Sequence, residues 1–435
     1  MTSPELIAAI LIGGMVILLA LGAPVSISIG LPSAVSMLLV LGTERGALTS
    51  AQRMFSGVDS FALLAIPFFV LAGVIMNNGG IAARLINLAK VVVGRAPAPL
   101  AQTNVAANVL FGAVSGSAVA AAAAVGSTMA PMQRKEGYDR AFAAATNVAS
   151  APAGMLIPPS NTLIVYALAS GGTSIGALFM AGYVPGLLWA AACSVVVWLY
   201  ARKHPELTVR REVTWRQTAA TVVQALPSLA MILLVIGGIV AGWFTPTEGS
   251  CIAVVYALVL SAVYRGFGLK DLPGILYQAC RTSSVVIFLI AVSSIMSWVM
   301  SFTRMPQLLA ESLFGWTDNK VVVLLLMMLL LLIIGIPLDA TPAILIFTPI
   351  FLPIAVSYGI DPVHFGIMLV FNLSIAVISP PSAPVLFVGA QVAGARLEPV
   401  IKWLMPFFLV LIAMLFLIVF VPDLTMWLPR LTGLA

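Results

Sequence analysis

The chain has 435 residues, of which 61% are hydrophobic and only 8% are charged, and its formal net charge is +6. Because a soluble globular domain carries about 25% charged residues, this composition excludes a soluble fold and indicates an integral membrane protein. The basic residues are spread over the predicted loops, where they indicate membrane topology and give no support for nucleic-acid binding.

The apolar segments predict a chain that crosses the bilayer many times. A spanning helix needs about 20 apolar residues, so the chain has room for roughly ten to twelve passes. The first segment has no basic stretch before it and no small-residue cleavage site after it, so we expect a permanent helix. The clearest spans, in chain order, are 5–22, 26–41, 60–78, 175–200, 218–242, 250–264, 282–303 and 400–422. Segments 46–58 and 268–281 mix basic and apolar residues and predict interfacial helices.

The charge of the loops predicts how the chain is oriented in the bilayer. Loops 133–140 and 201–217 are rich in lysine and arginine, so the positive-inside rule places both in the cytoplasm. Loops 171–174, 243–249 and 357–364 have almost no positive charge and are predicted to face outward. Following the spans with these assignments predicts that both termini lie outside.

A repeat becomes visible when the chain is shifted on itself by 222 residues without gaps. The residues that coincide are Ala118 with Ala340, Pro131 with Pro353, Gly137 with Gly359, Asp139 with Asp361, Pro158 with Pro380, Pro159 with Pro381, Ser160 with Ser382 and Gly172 with Gly394. Turn and breaker residues dominate this set, so an internal duplication explains it better than chance. Loop 133–140 is predicted inside and its counterpart 357–364 outside. The two copies therefore run in opposite directions, which is the inverted-repeat design of secondary transporters.

Each copy contains a polar interruption inside an apolar segment. Residues 100–132 are too short to cross the bilayer twice, and they turn around Ser115, Gly116 and Ser117, which predicts a re-entrant hairpin. Its counterpart is 321–356, with a tip at 337–342. Backbone that is not helical at this depth is tolerated only where it is buried in protein or lines a wet cavity. A proline-broken segment follows each hairpin, at 157–162 and at 379–384. The predicted fold is therefore an all-α polytopic membrane protein with inverted repeats, two re-entrant hairpins and two broken helices.

Several strings in these segments resemble one transporter family as a set. They are LLAIPFFVLAG (63–73), GAVSGSAVA (112–120), GMLIPPSN (154–161), AGYVPGLL (181–188), TPTEG (245–249) and SPPSAP (379–384). The chain resembles, over essentially its whole length, the large membrane subunit of a tripartite ATP-independent periplasmic (TRAP) transporter. The resemblance implies sodium-driven import by an elevator-type mechanism, in a bacterial inner membrane, with a transport domain that slides against a scaffold.

The resemblance also implies partners and substrates. The expected partners are a small four-helix membrane subunit, here a separate chain, and a soluble periplasmic substrate-binding protein. The substrates of the family are organic acids: C4-dicarboxylates, sialic acid, sugar acids or keto acids. No arginine at either hairpin tip is placed to bind a substrate carboxylate, so the sequence leaves the particular acid open, as it does the number of sodium ions.

The repeat and the resemblance together predict how the chain is divided. The first repeat is 1–200, with scaffold helices in 1–58, transport-domain helices and the first hairpin in 60–170, and a scaffold helix at 175–200. Residues 201–217 are the cytoplasmic linker. The second repeat is 218–435, with scaffold helices in 218–281, transport-domain helices and the second hairpin in 282–395, and a terminal helix at 400–422.

The hairpin tips and the broken helices are the predicted binding sites. A sodium ion prefers several hard oxygens, which carbonyls and hydroxyls supply where a helix unwinds. The first sodium site is predicted at Ser115, Gly116, Ser117, Pro158, Pro159, Ser160 and Asn161. By symmetry, the second is predicted at Leu338, Asp339, Ala340, Thr341, Ser379, Pro380 and Ser382. The substrate carboxylate is expected between the two tips, within reach of Ser117, Ser160 and Asp339.

Asp339 is the one acidic residue predicted inside a hairpin. A carboxylate within a membrane span costs about 2.5 to 3.5 kcal/mol on insertion scales, so we expect a role in binding sodium or substrate. The alternative is an aspartate that only caps the helix starting near Pro342. Ser117, Ser160 and Asn161 have a similar alternative, because their polar groups can bond to the backbone that the turn or the prolines leave unpaired.

Three other functional classes are alternatives to this prediction. A stand-alone sodium/dicarboxylate carrier shares the hairpin design and differs only in needing no binding protein. A membrane-embedded enzyme is disfavoured, because there is no H-E-x-x-H motif and no pair of aspartates within a span, and both histidines, His204 and His364, are predicted in loops. A channel would need a continuous polar pore, whereas the polar residues cluster at two symmetric breaks.

Overall fold

The computed structural model describes residues 3–207, 215–305, 308, 319–336, 338–380 and 383–434, and the elements within them are helical. The first half contains α1 Pro4–Ala8, a π-helical turn Ala9–Gly13, α2 Gly14–Ala20, α3 Val25–Leu41, α4 Thr43–Val58, a 3₁₀ turn Phe61–Leu64, α5 Ala65–Asn78, α6 Ile81–Val93, α7 Pro99–Ser115, α8 Ala118–Lys135, α9 Arg140–Ser150, α10 Ala153–Leu156, α11 Asn161–Ala169, α12 Ile175–Lys203 and a 3₁₀ turn Pro205–Leu207. The second half contains α13 Trp215–Val240, α14 Pro246–Tyr264, α15 Leu272–Phe302, α16 Lys320–Gly335, α17 Ala340–Ser357, α18 Pro362–Ala376, α19 Pro384–Ala393, α20 Leu397–Phe420 and α21 Asp423–Leu431.

The long apolar helices confirm a multi-pass membrane protein. Within the described residues, seven helical stretches are long and apolar enough to cross a bilayer: Phe61–Asn78, Ile175–Lys203, Thr218–Val240, Pro246–Tyr264, Leu272–Phe302, Ala340–Ser357 and Leu397–Phe420. Five of the spans predicted from the sequence, beginning with 60–78, have bounds close to these helices. The first predicted span is helical over residues 4–20, with the π-helical turn in its middle.

Helix α15 differs from the sequence-based expectation. An interfacial helix at 268–281 followed by a span at 282–303 was expected, but Leu272–Phe302 is one continuous helix of 31 residues. After Gly274 the segment contains neither proline nor glycine, so nothing in the backbone interrupts the helix. The predicted division at 281/282 therefore falls inside α15. The other expected interfacial segment, 46–58, does lie in a helix of its own, α4.

The helix starts follow the repeat that the sequence predicts. Helices α8 and α17 begin at Ala118 and Ala340, a separation of 222 residues, and α12 and α20 begin at Ile175 and Leu397 with the same separation. The residues before the first pair, Ser117 and Asp339, are both N-caps. The internal duplication in the sequence therefore corresponds to helices that begin at equivalent positions in the two copies. That the two copies are inverted across a membrane stays a prediction.

Both helical hairpins and both broken helices are present. In the first hairpin α7 and α8 pack together and are separated by Gly116 and Ser117, with Gly116 in the left-handed region at φ +60°. Glycine is the residue that adopts this conformation at no steric cost, which is why the chain turns there. In the second hairpin α16 ends at Gly335 and α17 begins at Ala340. The first break lies at 157–160, between α10 and α11; at the second, α18 ends at Ala376 and α19 begins at Pro384.

The first hairpin is held against its neighbours by small residues and by a buried amide network. Gly112 of α7 and Gly154 of α10 are so close that a Cβ on either would lie within 2.5 Å of the other's backbone. Asn108 Nδ2 lies 3.0 Å from Asn147 Oδ1 and 2.8 Å from Ser150 Oγ, and Asn147 Nδ2 donates to the Ala122 carbonyl at 2.8 Å. Because buried polar groups must be paired, this network fixes α7, α8 and α9 relative to one another.

The prediction that His364 lies in a loop is wrong. His364 is buried within the first turns of α18, and its Nδ1 is 2.7 Å from the hydroxyl of Thr425 in α21. The turn-favouring neighbours Asp361 and Pro362 suggested a loop, but they form the N-cap and the first position of this helix.

Candidate functional site

One cavity of about 1010 Å³ joins the segments that the sequence singled out. It is lined by both hairpin tips, by the start of α11 after the first break, by residues on either side of the second break and by one face of α15. The tip residues in its wall are Gly116, Ser117, Ala118, Val119, Asp339, Ala340, Thr341 and Pro342. The predicted meeting of the two tips around one space is therefore present in the structure.

The tip of the first hairpin lies directly against the first break. A Cβ on Gly116 would be 3.3 Å from the Asn161 backbone nitrogen, from its Nδ2 and from the Pro159 carbonyl oxygen. Ser117 is the N-cap of α8, since its hydroxyl accepts a bond from the Ala120 N–H at 3.3 Å. The hydroxyl of Ser115 is 3.4 Å from the Ser117 carbonyl oxygen. The structure thus brings the two halves of the predicted first sodium site together.

Ser160 is placed differently from the other residues of this site. It is fully buried, its hydroxyl donates to the Met155 carbonyl and lies 2.7 Å from the Thr162 hydroxyl, and it does not line the cavity. Through these bonds the Ser160 hydroxyl pairs with the Met155 carbonyl, which the proline-broken helix leaves without a backbone partner. Asn161 and Thr162, the next two residues, line the cavity instead.

The tip of the second hairpin exposes Asp339 to the cavity. Asp339 is the N-cap of α17, with its Oδ1 accepting from the Ala340 N–H at 2.9 Å, and Thr341, two residues later, also lines the cavity. Leu338 and Ala340 are buried beside it. Ser379 donates its hydroxyl to the Ile375 carbonyl at 2.8 Å and does not line the cavity. Ser382, which was predicted in the second sodium site, lies outside the described residues, as does its neighbour Pro381.

Helix α15 contributes to the cavity wall a cation that was not predicted as part of the site. Arg281 lines the cavity from α15, together with Tyr277, Gln278 and Thr282 on the same helical face. Among the described residues that line the cavity, only Arg281 and Asp339 are charged. The sequence signal that could have revealed this role is the absence of any helix breaker after Gly274, which puts Arg281 well inside a long helix.

A second, smaller cavity of about 420 Å³ lies further along the same helices. Helix α15 lines the first cavity with residues up to Leu289 and the second from Ile290 onward, where Ser293, Ser294 and Ser297 line it. Helices α11 and α17 continue in the same way, from Val165 to Leu168 and from Pro342 to Leu345. The two cavities therefore follow one another along α15, and the change from the first to the second falls between the adjacent apolar residues Leu289 and Ile290.

The oxygen atoms around the tips suit a hard monovalent cation. At the first tip they are the hydroxyls of Ser115 and Ser117 and the Pro159 carbonyl, which is not part of a helix, whereas the Asn161 atoms nearest to Gly116 are its backbone nitrogen and Nδ2. At the second tip they are the carboxylate of Asp339 and the hydroxyl of Thr341. Neutral oxygens and a single carboxylate, at backbone breaks that line a cavity, are the ligands that transporters use for sodium.

Comparison with known proteins gives concordant results. The model of the family "Tripartite ATP-independent periplasmic transporter, DctM component" matches residues 12–424. The protein YgiK of Salmonella typhimurium is 51% identical over 97% of each chain. The C4-dicarboxylate TRAP transporter large permease protein DctM of Rhodobacter capsulatus is 35% identical over 98% of this chain and 100% of its own length. The solved YdaH transporter of Alcanivorax borkumensis shares the fold at a TM-score of 0.60 and 16% identity, covering 87% of this chain and 88% of that one.

Proposed function

This chain belongs to the DctM component family of tripartite ATP-independent periplasmic transporters and is a large permease subunit, and we propose that it imports an organic acid together with sodium. The observation that supports this most is the single cavity between two hairpin tips. Its walls hold neutral oxygens, one carboxylate and one guanidinium, which together suit a cation and an organic anion.

The charge of Asp339 determines the proposed order of binding. An organic anion that enters the cavity between the tips meets this carboxylate, and two like charges within a few ångströms repel each other strongly in a region of low dielectric constant. A sodium ion bound at the second tip neutralises Asp339 first. Sodium therefore binds before the substrate, and the coupling between the two follows from electrostatics.

The two successive cavities support an elevator-type movement. The hairpin tips and Arg281 line the first cavity. The second cavity is lined by later residues of the same helices, including Ser297 of α15. In this proposal the whole of α15 belongs to the fixed scaffold, including residues 282–302, which the sequence-based division placed with the transport domain. Sliding the tip-bearing helices along α15 would then move the binding site from the first cavity to the second. The small four-helix membrane subunit and the periplasmic binding protein complete the proposed assembly, as the tripartite architecture of the family requires.

Sodium-dependent binding can be tested without measuring transport. In nanodiscs, a ligand that binds only the folded protein raises its melting temperature by mass action. We expect sodium, but not potassium, to stabilise the protein, and an organic acid to stabilise it further only when sodium is present. The Asp339→Asn variant should fold, since asparagine caps helices as well as aspartate, but should lose the sodium effect. Equal stabilisation by sodium and potassium would contradict the proposal.

A further inference from the structure

Arg281 is the one cation that the described part of the chain contributes to the wall of the cavity. It lies nine residues after the start of α15 at Leu272, about 14 Å along the helix at 1.5 Å per residue. The residues of α15 that share the cavity wall with it are Tyr277, Gln278, Thr282, Val285, Val286 and Leu289, spaced as one face of a helix. Arg281 is therefore on the face of α15 that looks toward the hairpin tips.

The guanidinium of Arg281 is available to a ligand. Arg281 is exposed, and within the described part of the chain no carboxylate lies at ion-pair distance from it and no aromatic ring lies beneath it. By contrast, the guanidinium carbons of three other arginines lie 3.4 to 5.9 Å from the centre of an aromatic ring: those of Arg53, Arg84 and Arg202. An arginine in a membrane helix that faces a cavity is by default a candidate functional residue. The free-energy cost of placing its charge within the membrane is offset only when it has a partner.

We propose that Arg281 binds a carboxylate of the substrate that points away from the hairpin tips, and so selects acids with two anionic groups. This rests on the proposed function, because it assumes that the first carboxylate lies at the sodium-loaded tips. Once sodium has neutralised Asp339, the second tip has no positive charge left to bind a second anionic group, whereas Arg281 in the α15 wall of the same cavity attracts it. The planar guanidinium offers a carboxylate two parallel hydrogen bonds, which lysine does not.

The first experiment measures how bound acids protect Arg281 from phenylglyoxal. The protein is placed in nanodiscs with its small partner and sodium and is treated with phenylglyoxal. It is then digested, and the extent of modification of each arginine is measured by mass spectrometry. We expect succinate to slow the labelling of Arg281 at least tenfold more than its monoamide, succinamate, with the exposed Arg265 as the internal reference. Equal labelling with and without succinate, 2-oxoglutarate, lactate, gluconate and N-acetylneuraminate would overturn the proposal, and so would equal protection by acids with one and with two carboxylates.

The second experiment uses charge variants in uptake. Arg281→Gln should raise KM at least tenfold for the dicarboxylate that the wild type takes up best, and Arg281→Lys should raise it a few-fold. Lys270→Gln, which removes one positive charge just before α15 and outside the cavity, should leave KM unchanged. An unchanged KM in Arg281→Gln would overturn the role of Arg281 while leaving the proposed function intact. Absence of sodium-driven uptake in the wild type would instead count against the proposed function.

Discussion

Gly116 shows how a single residue connects the fold to the proposed sodium site. Its left-handed φ of +60° allows the first hairpin to turn, and its missing side chain allows Asn161 and the Pro159 carbonyl to approach. An alanine there would meet both a conformational penalty and a steric one, since a non-glycine residue in this region costs about 1 to 2 kcal/mol. A Cβ at 3.3 Å from these atoms would also displace the proposed ligands.

Gly116→Ala is therefore expected to raise the sodium concentration for half-maximal uptake at least tenfold. Gly137→Ala is the matched control, because Gly137 also has a positive φ, at +81°, but a Cβ there would meet nothing within 4 Å. The two substitutions impose similar backbone strain, so only the contact at the tip differs between them. If both variants raise the sodium concentration for half-maximal uptake equally, backbone strain explains the effect and the contact at the proposed sodium site does not.

The positions of some residues of the site could be predicted from the sequence, and those of others could not. Gly116 and Asp339 could be assigned to the cavity, because a polar or flexible residue inside an apolar segment has few other places to lie. The direction of the Ser160 side chain could not be predicted, since it depends on which carbonyl the broken helix leaves unpaired, here that of Met155. Arg281 was missed because its basic neighbourhood resembles an ordinary interfacial segment when α15 is divided at 281/282.

At the scale of the helices, the starting points were more predictable than the lengths. Ser117, Asp139, Asp339 and Asp361 all act as N-caps, and serine and aspartate are strongly preferred there, so the repeat could be read from them. The length of α15 was not predictable from polarity alone. Its polar residues face a cavity and do not mark a helix end, which is a tertiary property.

The position of α15 along both cavities leads to a cross-linking prediction. In a background without Cys193, Cys251 and Cys280, paired cysteines are introduced at Val119 on the first hairpin and on α15. We expect the pair Val119–Thr282 to be joined, in the state described here, by a bifunctional thiol reagent long enough to cross the first cavity, because both residues line it. The pair Val119–Ser297 should cross-link only after the tips have moved about 22 Å along the helix, the length of 15 residues.

The control for this movement is a pair within the tip-bearing helices. Val119 and Val385 both line the first cavity, and α8 packs against α19, so this pair should cross-link equally in every condition. Adding the binding protein, sodium and substrate is expected to increase the Val119–Ser297 product at the expense of Val119–Thr282. A protein that transports but never forms the Val119–Ser297 cross-link would contradict the elevator movement.

At the scale of the whole molecule, the two repeats are joined by direct contacts around the cavity. The Tyr166 hydroxyl of the first repeat donates to the Pro362 carbonyl of the second at 2.6 Å, and Ser374 lies beside the sulfur of Met155 at 3.8 Å. Helix α12 packs against α7 and α10 as well as α18 and α20. The sequence predicted the duplication and the membrane class, but it could not predict these contacts between copies, because they join residues about 200 positions apart.

The central claim is that this permease couples the import of an organic acid to sodium through the cavity between the tips. It is tested most directly by uptake of radiolabelled acids into proteoliposomes that contain this chain and its small partner, with and without the binding protein. Asp339→Asn and Asp139→Asn are compared, since both residues cap helices but only Asp339 lines the cavity.

We predict uptake that requires both the inward sodium gradient and the binding protein, that is abolished in Asp339→Asn and that is retained in Asp139→Asn. Uptake with sodium but without the binding protein would identify a stand-alone carboxylate carrier. Uptake that persists without a sodium gradient, or at the wild-type rate in Asp339→Asn, would contradict the account.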